Sequence, residues 1–329
     1  MIHRVLGLHG PVVSPVGLGT MSWPGCRFGQ RNAHDHGFSR VDAAAMVRTA
    51  LDLGITLFDT AEGYGCGLAE EHLGAALKDA GNPDDVTIVT KIGPLFDVEK
   101  VDGRACNLSR GHLLERVDRS LRRLNVDKLD VLLAHWPDPL TPIEETMQAI
   151  ADLRMSGKVM HFGVSNFPND LLASALACGP VICNQLPCSL ADRSIEDGRR
   201  AFCLEQKIGI MAYSPIGKGV LSGKYDRTHL PAPEDYRNQR PHFRENFDSN
   251  LLLVEQLRAI ADNFSTSTVA VALAWTLNLP GITVAIPGAK SPAQIYDHVA
   301  AVELLKNPSL VSTLDSLVPA GLYRPTEKN

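Results

Sequence analysis

The sequence has no apolar run approaching the roughly 18 residues that a membrane-spanning helix needs. Its first residues, Met1 to Gly10, are interrupted by His3, Arg4 and His9, so neither a signal peptide nor an anchor is expected. Seven cysteines lie scattered without a CxxC pair, which gives no zinc or disulfide framework and suits a reducing, cytoplasmic compartment. No basic block stands out from a net charge of −5, and Lys and Arg are mixed with Asp and Glu throughout, which argues against nucleic acid as a partner. Low-complexity tracts are also missing. With 44% apolar and 21% charged residues, the chain can bury a core and is not expected to be disordered. There is no G-x-G-x-x-G fingerprint: Gly217-Lys218-Gly219-Val220-Leu221-Ser222 comes closest and lacks the last glycine, so a Rossmann domain is disfavoured.

What is present is a regular alternation. Short apolar runs recur at Val16–Thr20, Ile55–Phe58, Val86–Lys91, Leu129–Ala134, Val159–Val164, Val181–Asn184, Gly209–Tyr213 and Ile282–Ile286, each followed by a helical pattern. Nearly continuous apolar character is what parallel strands covered by helices require. In 109–124 the positions Leu113, Leu114, Val117, Leu121 and Leu124 form one stripe. Thr141-Pro142-Ile143-Glu144 reads as a capping box with proline at the first helical position, a device repeated at Ser291-Pro292-Ala293-Gln294. Gly157 closes the helix opened at Thr141. Eight strand-helix alternations fit either a closed barrel or a doubly wound sheet. Before the first strand, Arg4-Val5 and Val12-Val13 read as a β-hairpin that could plug a barrel floor. After the seventh strand, Ser214 to about Asn250 is punctuated by Pro215, Gly217, Gly219, Gly223, Pro231, Pro233 and Pro241, a long loop of the kind usually tied to function. No repeat or linker divides the chain, so residues 1–329 read as a single domain.

In a barrel enzyme the reacting groups sit at the C-terminal strand ends. Four candidates lie there: Asp59, Tyr64, Lys91 and His135. Singly they are weak evidence, since a strand-end Asp commonly caps a helix, a Lys lies on a rim and a His is structural. Together they suit reduction of a carbonyl by hydride. Tyr64 would donate the proton, and Lys91 would lower its pKa by stabilising the phenolate. Asp59 would hold the ammonium, while His135 would orient the carbonyl and stabilise the growing negative charge.

These segments closely resemble the aldo-keto reductase superfamily. Phe58-Asp59-Thr60-Ala61-Glu62-Gly63-Tyr64-Gly65, Thr90-Lys91 and His135-Trp136-Pro137 are similar to its signatures after strands two, three and four. The likeness continues, in order, through Gly163-Val164-Ser165-Asn166, Asn184-Gln185, Ala212-Tyr213-Ser214-Pro215 and Ala285-Ile286-Pro287-Gly288-Ala289-Lys290. Within the superfamily, the Arg237–Phe243 insertion and the Ile286–Lys290 run look most like the bacterial stress and inositol-operon reductases of the IolS type. The resemblance implies an α/β fold, the (β/α)8 TIM barrel, with Asp59, Tyr64, Lys91 and His135 as catalytic tetrad and no metal.

It also implies NADPH/NADP+ as cofactor. Ser165, Asn166 and Gln185 would hold the carboxamide, and Tyr213 would stack on the nicotinamide ring. Ser214, Gly217, Leu221 and Gly223 would line the pyrophosphate through backbone contacts, and Gly19, Thr20, Pro215, Lys224, Ile286 and Gly288 complete the cofactor set. Lys290 would meet the ribose 2′-phosphate. Gln294 stands where some branches carry Arg, and His298, near the adenine, stands where Asn is common. The expected partner is a small-molecule carbonyl substrate, an aldehyde or ketone, with no nucleic acid and no membrane; the sequence does not fix the oligomeric state. Trp23, Phe28, Phe96 and Trp136 are candidate walls for the substrate. Two other functions are compatible with the sequence: an NAD(P)-linked sugar or polyol dehydrogenase running oxidatively, and a binding module like the β-subunits of potassium channels. Those subunits typically have Asn where His135 stands.

Overall fold

In the computed structural model, described for residues 1–23, 38–81, 85–95, 106–233 and 235–317, the eight apolar runs form one parallel sheet. After a hairpin of β1 (Arg4–Val5) and β2 (Val12–Val13), its strands are β3 (Leu18–Gly19), β4 (Leu57–Asp59), β5 (Thr87–Ile92), β6 (Leu129–Ala134), β7 (Val159–Ser165), β8 (Cys183–Pro187), β9 (Gly209–Tyr213) and β10 (Ile282–Ile286). Each pairs with the next in chain order. First and last strands then meet: Ala285 N–H donates to Pro15 O at 2.9 Å, Gly17 N–H to Ala285 O at 2.9 Å and Gly19 N–H to Pro287 O at 3.0 Å. These bonds close the sheet into a (β/α)8 TIM barrel.

Helices cover the outside. They are α1 (Arg40–Asp52), α2 (Leu68–Asp79), α3 (Arg110–Leu124), α4 (Ile143–Met155), α5 (Asn169–Cys178), α6 (Arg199–Glu205), α7 (Phe247–Asn263), α8 (Thr268–Asn278), α9 (Pro292–Leu304) and α10 (Pro308–Ser316). In α3 the stripe Leu113, Val117, Leu121 and Leu124 is buried, as its 3.6-residue spacing requires. Gly157 ends α4 in the left-handed region at φ 75°, with Gly157 N–H to Arg154 O at 3.0 Å and Lys158 N–H to Leu153 O at 3.1 Å. That is a Schellman ending.

The two expected capping boxes do not form. Pro142, which has no side chain able to cap, is the N-cap of α4, and the Thr141 hydroxyl, one residue before it, donates to Asp138 Oδ2 at 2.6 Å. At α9, Ser291 is the N-cap and Pro292 takes the first turn, but the serine side chain caps nothing; Gln294 Oε1 reaches back to Lys290 N–H at 2.7 Å. The segment after β9 is a long loop up to Asn246, carrying short 3-10 turns at Gly217–Ser222, Tyr236–Gln239 and Pro241–Phe243. Helix α7 then follows, a feature the punctuated reading of this region overlooked.

The barrel floor is sealed by the hairpin. Leu6 and Val13 are fully buried against the inward residues Leu57, Val89, Val131, Leu133, Ile182, Cys183, Met211, Val284 and Ile286. Gly7, at φ +67°, permits this approach: a Cβ there would lie 1.9 Å from Ile182 O. The inner side of the barrel is therefore a dry apolar plug from below.

Candidate active site

Side chains alternate along a strand, so the residue two positions beyond an inward one also points inward. Leu57, Val89, Leu133, Cys183 and Met211 belong to the interior plug; two residues on stand Asp59, Lys91, His135, Gln185 and Tyr213. Gly163, whose added Cβ would meet Cys183 Sγ and Leu133 Cδ2, is likewise followed by Ser165. Gly17 faces Leu57 and Ile286 in the same way and is followed by Gly19. The upper layer of the barrel is thus polar by register, and all these positions are among those expected from the sequence. On the β3/β10 side, where Gly19 bridges Gly288, the layer is made of glycines and carries no side chain at these two positions.

Lys91 is the hub of this layer. Its Nζ lies 2.6 Å from Asp59 Oδ1, 2.7 Å from Thr60 O and 3.2 Å from Tyr64 Oη. An ammonium has three N–H bonds and no acceptor, so these contacts use all of them. Tyr64 Oη therefore accepts from Lys91, and its own proton points elsewhere. Asp59 Oδ2 accepts from Gln185 Nε2 at 2.8 Å. Tyr64 reaches the site from a short 3-10 turn, Tyr64–Gly67, in which Gly65, Cys66 and Gly67 are all left-handed. Its ring stands edge-on to His135, with centroids 6.0 Å apart at 81°.

Asp59, Tyr64, Lys91 and His135 are all buried. Burial pushes Asp59 up and Lys91 down, and each opposes the other's shift through its charge; with three acceptors around the ammonium and two donors on the carboxylate, the pair stays ionic. Burial also holds the imidazole of His135 neutral, pushing it well below its ordinary value, with the Lys91 charge adding to the effect. The Tyr64 phenol differs from the expectation. Burial, then the Asp59 charge, raise it well above the ordinary value. Desolvation of a phenolate outweighs the nearby ammonium, so Tyr64 is a neutral phenol in this site.

Beside the tetrad, Ser165 Oγ donates to Gln185 O at 3.0 Å and Asn166 Nδ2 to Ser165 Oγ at 2.9 Å. Tyr213 Oη donates to Asn166 Oδ1 at 3.0 Å, which holds its ring. Asn166, at φ 63°, takes the left-handed backbone that asparagine tolerates. Gln185, expected at a ligand amide, donates one N–H of its side chain to Asp59. Thr20 Oγ1, just after β3, is buried without a hydrogen-bond partner, so a polar ligand group would satisfy it.

In the loop after β9, Ser214, Gly217, Lys218, Gly219 and Gly223 all have positive φ, while Pro215 and Leu221 are buried. Lys224 lies over the Tyr225 ring at 4.7 Å and Arg237 at 5.6 Å. Partial burial, then the Arg237 and Lys224 charges, push Lys290 down, with Asp235 resisting. Three cations thus gather near one carboxylate, Asp235, which pairs with Arg237 at 2.5 Å. Arg237 was noted in the sequence only as part of an insertion. His298 faces inward, buried and held neutral at about 4 by desolvation. Of the candidate walls, Trp23 is fully buried and stacked on Phe38 at 5.3 Å, so it lines no open space; Trp136 is exposed. Phe28 and Phe96 lie outside the described residues. Among the described residues no group of three or more His, Cys, Asp or Glu could hold a metal, and no helix is long and apolar enough to cross a membrane.

A closed parallel barrel with a Tyr-Lys-Asp-His cluster at its C-terminal mouth is the architecture of a carbonyl oxidoreductase. Residues 15–319 match the aldo/keto reductase family model, and the chain belongs to that family, whose members use NAD(P)H. Among relatives, the aldo-keto reductase YhdN of Bacillus subtilis is 34% identical over 86% of this chain and 83% of its own. A glycerol dehydrogenase structure from Gluconobacter oxydans superposes with a TM-score of 0.84 at 27% identity, covering 99% of this chain and 98% of that one. The holo form of an aldo-keto reductase from Bacillus halodurans gives 0.77 at 28% identity, covering 98% of each.

Proposed function

We propose that this protein reduces an aldehyde or ketone with NADPH, with Tyr64 as the proton donor. The observation that carries the reading is the Lys91 hub, in which the ammonium spends its third hydrogen bond on Tyr64 Oη. As the carbonyl oxygen gains negative charge it draws the proton from Tyr64, and the phenolate left behind sits against the ammonium rather than in bare protein. Asp59, fixed by Gln185, holds that ammonium in place. Neutral His135 can donate a hydrogen bond to the oxygen without a competing charge. The bound cofactor would supply the hydride.

The residues present suit a nicotinamide nucleotide. Tyr213, held by Asn166, offers a fixed ring, and Lys290, Lys224 and Arg237 form a cationic group suited to a 2′-phosphate. That group is what favours NADPH over NADH. A cytoplasmic protein acting as one catalytic unit over 1–329 belongs to the same proposal. So does a place in the IolS-type branch, supported by the Arg237–Phe243 segment and the Ile286–Lys290 run. Likeness to a glycerol dehydrogenase favours, as a second reading, an NAD(P)-linked polyol dehydrogenase working oxidatively. Histidine at position 135, beside Tyr64, favours both over a channel-subunit-like binding module.

Replacing Tyr64 by Phe tests the main reading. Carbonyl reduction is expected to slow by roughly 10²-fold or more, with NADPH affinity within a few-fold, because only the proton is lost. Unchanged turnover would remove Tyr64 from the mechanism, and assays with carbonyls and NADPH, then polyols and NADP+ or NAD+, separate the two directions.

A further inference from the structure

Glu62 stands two residues before Tyr64, and the chemistry above gives it no role. It is only 2% exposed, an unusual place for a carboxyl. Its backbone N–H donates to Lys91 O at 3.2 Å. Its Oε1 accepts from Gly93 N–H at 3.2 Å. One residue therefore grips β5 on both sides of Ile92, directly behind the Lys91 side chain. Oε2 lies 3.3 Å from Arg116 on α3, which supplies a countercharge.

The strand end cannot drift to follow a loosened turn. Gly93 sits at φ +134°, and a Cβ there would lie 2.6 Å from Cys106 Sγ, so its backbone is closely confined. On the other side, the Tyr64 N–H bonds back to Ala61 O at 3.1 Å, which makes 61–64 a compact turn that moves as a unit. The Lys91–Tyr64 contact of 3.2 Å is the longest of the three made by the ammonium. It is at the limit of a good hydrogen bond, and a small outward shift of the turn would break it.

We propose that Glu62 is a positioning residue whose carboxyl oxygen clamps the Tyr64 turn to the Lys91 strand and so sets the contact between phenol and ammonium. This inference rests on the reading of Tyr64 as proton donor. The clamp needs an acceptor at Oε1 and not a charge. Burial raises the Glu62 carboxyl to about 7, with Arg116, the Gly93 N–H and Arg123 resisting and Glu70 adding to it; Cys106, also nearby, is a neutral thiol pushed up to about 12 by burial. Oε1 can accept from Gly93 in either protonation state, so glutamine should serve in its place.

The test compares Glu62→Ala and the better-filling Glu62→Met with Glu62→Gln. It reads the single-turnover rate of hydride transfer across pH, the NADPH dissociation constant and the melting temperature. Ala and Met are expected to slow hydride transfer by roughly 10-fold or more with NADPH affinity within a few-fold, since a displaced proton donor costs rate and not cofactor binding. They should also move the alkaline limb of the rate profile upward, because a phenol farther from the ammonium is harder to ionise. Gln should recover the rate to within about threefold. The inference is overturned if Ala and Met keep the parent rate, or if all three variants lose rate equally with an unmoved pH limb. Tyr64→Phe, run alongside, separates the two ideas: if it retains turnover the proton-donor reading fails, whereas if it abolishes turnover while Ala and Met do not, the clamp alone fails.

Discussion

Glu62→Gln should make the folded state more stable relative to the parent as pH rises. The Glu62 carboxyl is raised from 4.5 to about 7 on folding, chiefly by burial. A carboxyl raised in this way favours folding most below its unfolded value, loses that advantage as pH climbs from about 4.5 to about 7, and contributes a constant penalty above. The rise from 4.5 to about 7, at about 1.36 kcal/mol for each pH unit, amounts to about 3 kcal/mol. At 2% exposure the group has little solvent screening to reduce that figure. Glutamine does not titrate, so the difference between variant and parent should grow by about 3 kcal/mol across the window, whatever its value at the acid end. For a chain of 329 residues this corresponds to about 4–5 °C in melting temperature. Calorimetry or urea unfolding of both proteins at intervals from pH 4.5 to 8 measures it. A difference that stays flat across that range, or that shrinks, would show that Glu62 does not titrate inside the fold and would refute the reasoning.

Lys91→Met leaves Asp59 buried without its cation and should cost about 3–5 kcal/mol, with Asp59→Asn added to it recovering much of the loss in thermal melts. The same variant should slow reduction and move the alkaline limb of its pH profile upward, since no ammonium then stabilises the phenolate. Lys290→Ala should weaken NADPH binding by roughly 10-fold, the lower end of what a charge-assisted bond gives, because the lysine is only partly buried and Arg237 and Lys224 remain; NADH binding, measured by the same fluorescence titration, should barely change. Gly7→Ala combines a positive φ with a Cβ 1.9 Å from Ile182 O and should destabilise by about 2 kcal/mol or more in urea unfolding, while leaving the pH profile of turnover unmoved.

The strands and the grouping of Asp59, Tyr64, Lys91 and His135 at the strand ends were legible because both depend on local pattern. Continuous apolar runs mark a doubly covered parallel sheet, and a polar residue two positions beyond an inward apolar one must stand at the barrel mouth. Helix α7 carried a readable stripe, Asn250, Leu253, Val254, Leu257, Ile260 and Ala261, hidden by the prolines and glycines that precede it. The failed cap at Thr141 was not readable as such, since a helix that starts one residue later makes Pro142 the N-cap and leaves the threonine outside capping position. Gln185 is 126 positions from Asp59, and no spacing rule brings them together. The raised pKa of Tyr64 had no sequence signal either: the adjacent lysine is visible in the chain, but the depth of burial that outweighs it is not.

The sealed floor joins the two ends of the chain in time as well as in space. Arg4 bonds to Ile282 O at 2.9 Å across 278 positions, Leu6 packs among residues from six of the strands, and β3 completes its pairing only with the backbone around Ala285. During synthesis the first strand therefore leaves the ribosome with one edge unpaired and must wait for β10 to be made before its last neighbour exists. Closing so long a loop is slow, and unpaired edges and apolar side chains are exposed in the meantime. Early strands can pair with their successors as they emerge, but the barrel cannot shut until the eighth strand arrives. Closure of the barrel is thus a late step that waits on β10, and the stage most open to aggregation is the seven-stranded sheet that precedes it.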